Sequence, residues 1–164
     1  MKVTQHDLSA GDAIFTSVRW PKAKPPRRAA ALETIERLMP WGKLESIVRP
    51  RYASDTQKGG RPGYSLRMLI RCYVLQTFWQ LNDYGLENFV LDSHAAARFI
   101  GSDPWQPRPP SASRMRDFRK LLENSMLDGE FQAAIIDAVY SSGLQVKIGC
   151  VAEPVFRQSP KQSR

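Results

Sequence analysis

The residues of this chain best suited to chemistry are its long cations. Arg116, Arg119 and Lys120 lie within the segment from Ser111 to Glu123. On a helical wheel Met115, Phe118, Leu121, Leu122 and Met126 form one apolar arc, with Arg116 and Lys120 nearly opposite it and Arg119 on its flank. All three cations are expected to face outward. Long donors held at fixed spacing on a packed helix suit phosphate oxygens and guanine edges. Lys58 and Arg61 stand in Lys58-Gly59-Gly60-Arg61-Pro62-Gly63-Tyr64-Ser65, whose glycines and proline mark a turn. Arg67 follows at the head of the next helix, and Arg114 lies near the start of the later one. Lys58, Arg61, Arg67, Arg114, Arg116, Arg119 and Lys120 are therefore the candidate DNA contacts. A solvated basic face would carry the same residue types, and Asp117 and Glu123 temper this one only in part.

Other chemistry has little to work with. Cys72 and Cys150 are the only cysteines and His6 and His94 the only histidines, with no acidic cluster at ligand spacing. This pattern predicts no metal site and no disulfide framework, and both thiols read as packed groups in a reducing compartment. The chain carries 24 Lys and Arg against 16 Asp and Glu, a formal charge of +8, with 42% hydrophobic residues. That apolar share excludes global disorder, and the charge is consistent equally with a polyanionic partner, since neutralising phosphates releases counterions, and with a solvated basic surface. The first thirty residues lack the apolar core of a signal peptide, so a cytoplasmic location is expected.

Elements to position the cations can be read from apolar spacing. Leu66 to Leu81, LRMLIRCYVLQTFWQL, is apolar on every side except at Arg67, Arg71, Gln76, Thr77 and Gln80, the residues able to face water. It predicts a central helix covered by other helices, with Ser65 as its N-cap. At 16 residues it is too short to span a membrane, which needs roughly 18 to 20, and no membrane partner is expected. Upstream, Arg19 to Arg28 holds five basic residues, three prolines and no acid, which predicts an extended basic arm. From Ala29, Leu32, Ile35, Leu38 and Met39 and then Trp41, Leu44, Ile47 and Val48 give one kinked or two short helices broken at Pro40.

Downstream, Asn82-Asp83 breaks the central helix, and a second helix through Leu86, Phe89, Val90 and Leu91 ends at Asp92-Ser93. A third runs from His94 to Ile100, and together these supply a helix-turn-helix-like unit. In the proline-rich loop Gly101 to Pro110, Trp105 is expected to anchor the loop on the core. Serine caps open the Arg116 helix, Asp128 should cap a last helix, and Gly143 should stop it. Leu144 to Val151 then alternates as a strand with no visible partner. The fold class is thus mainly α: a helical bundle with a helix-turn-helix-like unit and a short C-terminal strand. Residues 1–28 form a lead-in and basic arm, 29–143 the helical domain, and 144–164 a strand and tail.

The order of these motifs has a family likeness. Gly60-Arg61-Pro62-Gly63-Tyr64, Met68-Leu69, Leu75 to Leu81, Leu86-Glu87, Arg98-Phe99-Ile100-Gly101, Pro110 to Ser113, Phe118-Arg119, Leu121-Leu122-Glu123 and Gly143 to Lys147 occur in succession. Over roughly residues 30 to 153 the chain resembles the N-terminal domain of InsH-like bacterial insertion-sequence transposases. The resemblance implies a helical domain that binds double-stranded DNA at the transposon's inverted repeats. It also implies a following RNase H-like domain whose three acids bind a divalent metal such as Mg2+ to cut and join DNA. Residues 144–164 would begin that domain. Where the family has its first catalytic aspartate this chain has Glu153, followed by Pro154, and no second or third acid follows. Two-metal chemistry needs several carboxylates to hold ions about 3.5 to 4 Å apart. The expectation is therefore a truncated transposase that binds DNA, uses no cofactor of its own and is inactive in cleavage alone. The alternatives are the first half of a frameshifted active transposase, an interaction protein that dimerises with full-length transposase and inhibits it, and a decayed remnant; a homodimer is a further candidate partner.

Overall fold

The computed structural model describes residues 26–52, 64–105, 107–147 and 155–158. They form α1 (Arg27–Leu38), α2 (Trp41–Val48), a 3-10 turn (Arg49–Arg51), α3 (Leu66–Trp79), α4 (Asp83–Leu91), α5 (His94–Ile100), α6 (Ala112–Asn124) and α7 (Asp128–Ser141). Two short strands follow, β1 (Leu144–Lys147) and β2 (Val155–Gln158). The fold is mainly helical.

Local chemistry sets the breaks. Pro26 sits at the N-cap of α1, so Arg27 and Arg28 belong to the helix and not to an extended arm; proline fits a helix start because its missing N–H has no partner there anyway. Residues 19–25 of that arm lie outside the described residues. Met39 turns extended at ψ 132 because the ring of Pro40 excludes the helical region from its predecessor, which separates α1 from α2. The Ser65 hydroxyl accepts the N–H of Met68 at 3.2 Å and caps α3. Gln80, in the left-handed region at φ 53, ends it. Asn82 and Ser93 cap α4 and α5 through the N–H groups of Gly85 and Ala96.

α3 is the core. Leu69, Ile70, Cys72, Tyr73, Val74, Leu75, Phe78 and Trp79 are buried around its circumference, and it packs against α2, α4, α5 and α6. Burial pushes the Cys72 thiol up, so it is a packed and unreactive group; Cys150 lies outside the described residues. Among the described residues no helix is long and apolar enough to cross a membrane.

Arg71 does not face water. Its side chain is only 13% exposed. Nη1 and Nη2 donate to the two oxygens of Glu36 on α1 at 2.6 and 2.7 Å, and Nη1 also donates to the Phe99 carbonyl of α5 at 2.6 Å. The guanidinium lies 4.5 Å from the Trp41 ring centre and 5.2 Å from that of Phe99. One side chain thus joins α1, α2, α3 and α5.

Three other expectations change. Asp128 does not cap α7: the N-cap is Leu127, which makes no side-chain cap bond. The Asp128 carboxylate instead accepts the Tyr73 hydroxyl at 2.9 Å, and that hydroxyl accepts from Gln132 at 2.9 Å. Met126 is 90% exposed, because α6 ends at Asn124 and Met126 takes a left-handed turn at φ 54 that carries it off the apolar arc. Half-buried Leu127 packs on the core in its place. Trp105, expected to anchor its loop, is 81% exposed. The loop is held instead by the Tyr64 hydroxyl, which donates to the Pro109 carbonyl at 3.1 Å.

Gly143, at φ 66, follows α7 where a glycine is favoured. Beyond it β1 pairs antiparallel with β2, Leu144 opposite Gln158 and Lys147 opposite Val155.

Two predictions follow from the core. Lysine at position 71 keeps the charge but loses the fork and the stacking plane, so R71K should lower the unfolding free energy by about 2 kcal/mol, while R67K, at a 62% exposed side chain, should change it by less than about 0.5 kcal/mol. Urea denaturation of both variants checks this. Burial, and then the bond to Asp128, push the Tyr73 hydroxyl up to about 12. Its unfolded value is lower, about 10, so its stabilisation is complete below pH 10 and is lost as pH rises towards 12. Y73F should be the less stable protein at pH 8, and the gap should narrow between pH 10 and 12 in denaturant titrations.

Candidate nucleic-acid interface

α6 is fixed before it can present anything. The Ser111 hydroxyl accepts the Arg114 N–H at 3.4 Å, and Met115, Phe118 and Leu122 are buried. On the opposite side Arg116 and Lys120 are exposed, four residues apart on one face. Neither forms an ion pair with any described residue. Asp117 and Glu123 are exposed on neighbouring positions of the same helix.

Arg119 departs from the outward trio. Its Nη2 donates to Asp83 in the first turn of α4, and the same carboxylate oxygen accepts the Gln76 amide of α3 at 2.9 Å. The Nε of Arg119 is buried without a partner. Arg119 therefore bolts α6 to α4 and α3. The apolar arc of α6 could not reveal this, because Asp83 lies far away in sequence.

The remaining candidates lie elsewhere. Arg114 is half-buried and donates to the Tyr52 hydroxyl at 3.3 Å; that hydroxyl donates to the Tyr64 carbonyl at 2.7 Å. With Arg51 it lines a small cavity of about 230 Å³ that also holds Asp117. Arg67 donates through Nε to Glu45 at 2.7 Å, and Arg49 reaches the other oxygen of Glu45 at 3.0 Å. The bond from Arg67 holds the Glu45 carboxyl below its ordinary value, against the opposing effect of burial. Arg49 and Arg51 were not among the sequence-derived candidates. They sit on a 3-10 turn around Pro50, outside any apolar pattern that would have marked a face. Lys58 and Arg61 lie outside the described residues.

The described surface thus offers two cationic regions. One is the Arg116 and Lys120 ridge, and the other is an edge containing Arg49, Arg51, Arg67 and Arg114. In the edge, Arg67 and Arg49 share the one carboxylate of Glu45, which offsets only one of their two charges. A groove of about 720 Å³ between α1, α3 and α5 sets Glu33 and Glu36 against Arg67, Arg71 and Arg98 over Leu32 and Phe99. Of these cations Arg71 pairs with Glu36 and Arg67 with Glu45, and Arg98 forms no ion pair with any described residue. Among the described residues no group of three His, Cys, Asp or Glu side chains is placed to hold a metal ion.

Comparison with known families adds one match. The family model described as Transposase domain (DUF772) covers residues 21–121, more than half of the chain, and contains every one of the candidate cations. No solved structure matches.

Proposed function

Because the chain belongs to the DUF772 transposase domain family, we propose that it is the DNA-binding N-terminal portion of an InsH-like insertion-sequence transposase that grips the element's inverted-repeat ends. The observation that carries the reading is the Arg116 and Lys120 pair, exposed and without ion-pair partners among the described residues. The pair stands on a helix whose opposite face is buried and which Arg119 ties to Asp83. A rigid helix offers its donors at fixed spacing without further loss of backbone freedom. In this reading α4, the turn at Asp92-Ser93 and α5 form a helix-turn-helix-like support, and α6 lies along the DNA. Arg67 and Arg114 contribute from the neighbouring edge, and Lys58 and Arg61 from the glycine-rich turn. Arg119 acts by positioning the ridge. Recognition is the role assigned to the helical residues, and the divalent metal of the family belongs to its catalytic domain, which residues 144–164 would begin.

A second reading, association with a second copy or with a full-length relative, is favoured by the outer side of α7. Ile136 and Tyr140 are exposed there one turn apart, in line with exposed Gly129 and Ala133. If this face joins two copies, I136E/Y140E should convert a dimer to a monomer in sedimentation velocity; a wild-type chain that is monomeric at all concentrations removes this reading.

The first reading is checked by reversing the ridge. R116E/K120E should abolish duplex binding in fluorescence anisotropy while leaving the melting temperature within about 2 °C, since exposed substitutions rarely exceed about 0.5 kcal/mol. Milder neutralisation by R116Q/K120Q should reduce the salt slope of log K by about 2, the loss of two phosphate contacts. Unchanged binding by both variants would refute the ridge as the interface.

A further inference from the structure

The Trp105 side chain is a large apolar surface left in water. It is 81% exposed, yet its place is defined. The backbone N–H of Trp105 donates to the Asp103 carboxylate at 2.9 Å, and the backbone N–H of Arg108 donates to the Ser102 hydroxyl at 2.8 Å, closing the loop on both sides of it. The indole meets His94 of α5 edge to face, with ring centres 5.0 Å apart and planes at 65°. That contact covers only a small part of the ring, so an indole face stays open. Four residues on from His94, and so on the same side of α5, stands Arg98, which is exposed and forms no ion pair with any described residue.

An open aromatic face held at fixed height, with a cation one helical turn from the histidine it leans on, is an arrangement suited to unpaired bases. The base stacks on the ring irrespective of its identity and the cation takes an adjoining phosphate. A ring that served only to hold the loop would be covered, and here the loop is held by Tyr64 and Pro109. We infer that Trp105, steadied by His94 and flanked by Arg98, is a stacking platform for an unpaired base of single-stranded or frayed DNA. This site lies apart from the α6 ridge and rests on the reading of the chain as a DNA-binding protein. It gives that reading a second contact, one that distinguishes a DNA end from continuous duplex.

The test uses the full chain, a twelve-residue oligothymidylate and a blunt duplex, with binding followed by anisotropy. W105A should weaken oligothymidylate binding by about 5-fold to 100-fold, the range for loss of one base–aromatic stack. W105F should restore most of it, and duplex binding should stay within about twofold for both variants. W105A binding oligothymidylate as tightly as wild type would overturn the platform. So would equal losses on single strand and duplex, which would make the ring a general contact. A wild-type chain that binds the duplex but not oligothymidylate removes the platform alone, whereas one that binds neither removes the DNA-binding reading with it. Because the ring is exposed, W105A should keep its melting temperature, and rescue by W105F guards against a folding artefact.

Discussion

A helix apolar around its whole circumference has to be enclosed, and that requirement organises this protein. α3 buries side chains on every side, so helices from both earlier and later in the chain must close over it. Apolar contact alone is non-directional. Direction is supplied by Arg71, whose fork fixes Glu36 of α1 and the Phe99 carbonyl of α5 while its plane lies over Trp41. The arrangement needs these three partners together, because a guanidinium drawn out of water without its acceptors would be strongly destabilising. Tyr73 repeats the logic on the other side of α3, where its hydroxyl joins Asp128 and Gln132 of α7 and its ring packs edge-on to Phe118 and Phe131.

The surface inherits this order. α6 rests on the covered core through Met115, Phe118 and Leu122, and Arg119 fixes its placement against α4 through Asp83. What remains outward is determined by what has been turned inward. Arg116 and Lys120 stay exposed because the arc opposite them is buried, while Arg67 and Arg49 converge on Glu45. Cations of identical chemistry therefore serve different ends in this fold. Arg71 and Arg119, each bonded to an acid on another helix, hold helices together, whereas Arg116 and Lys120 stay available to a partner.

Much of the framework was legible in the sequence because it follows from local rules. The central helix, its Ser65 cap, the break at Pro40, the paired short helices after Asn82 and the stop at Gly143 each depend on residues within a turn of one another. Arg116 and Lys120 were placed correctly by the wheel for the same reason. The misses have a common cause. Arg71 with Glu36 and Arg119 with Asp83 pair across more than thirty residues, and no periodicity encodes such a partner. Asp128 could equally have capped its own helix or accepted from Tyr73, and only the packing of α7 on α3 decides between them. Trp105 reads as a core residue by composition, since large aromatic groups are usually covered; its exposure depends on the path of a loop with no periodic signal. The family match is silent on these contacts, but it agrees with the order of motifs from which the transposase likeness was drawn.

Reading of DNA ends by this helical domain is tested by anisotropy of the full chain on labelled inverted-repeat ends and on scrambled duplex of equal length, across a salt series. An end-reading domain should bind the true ends more tightly, with a preference that survives at moderate salt after the non-specific, counterion-driven component has weakened. Equal affinities that fall together with salt would contradict it, and would reduce the interaction to the formal charge of +8.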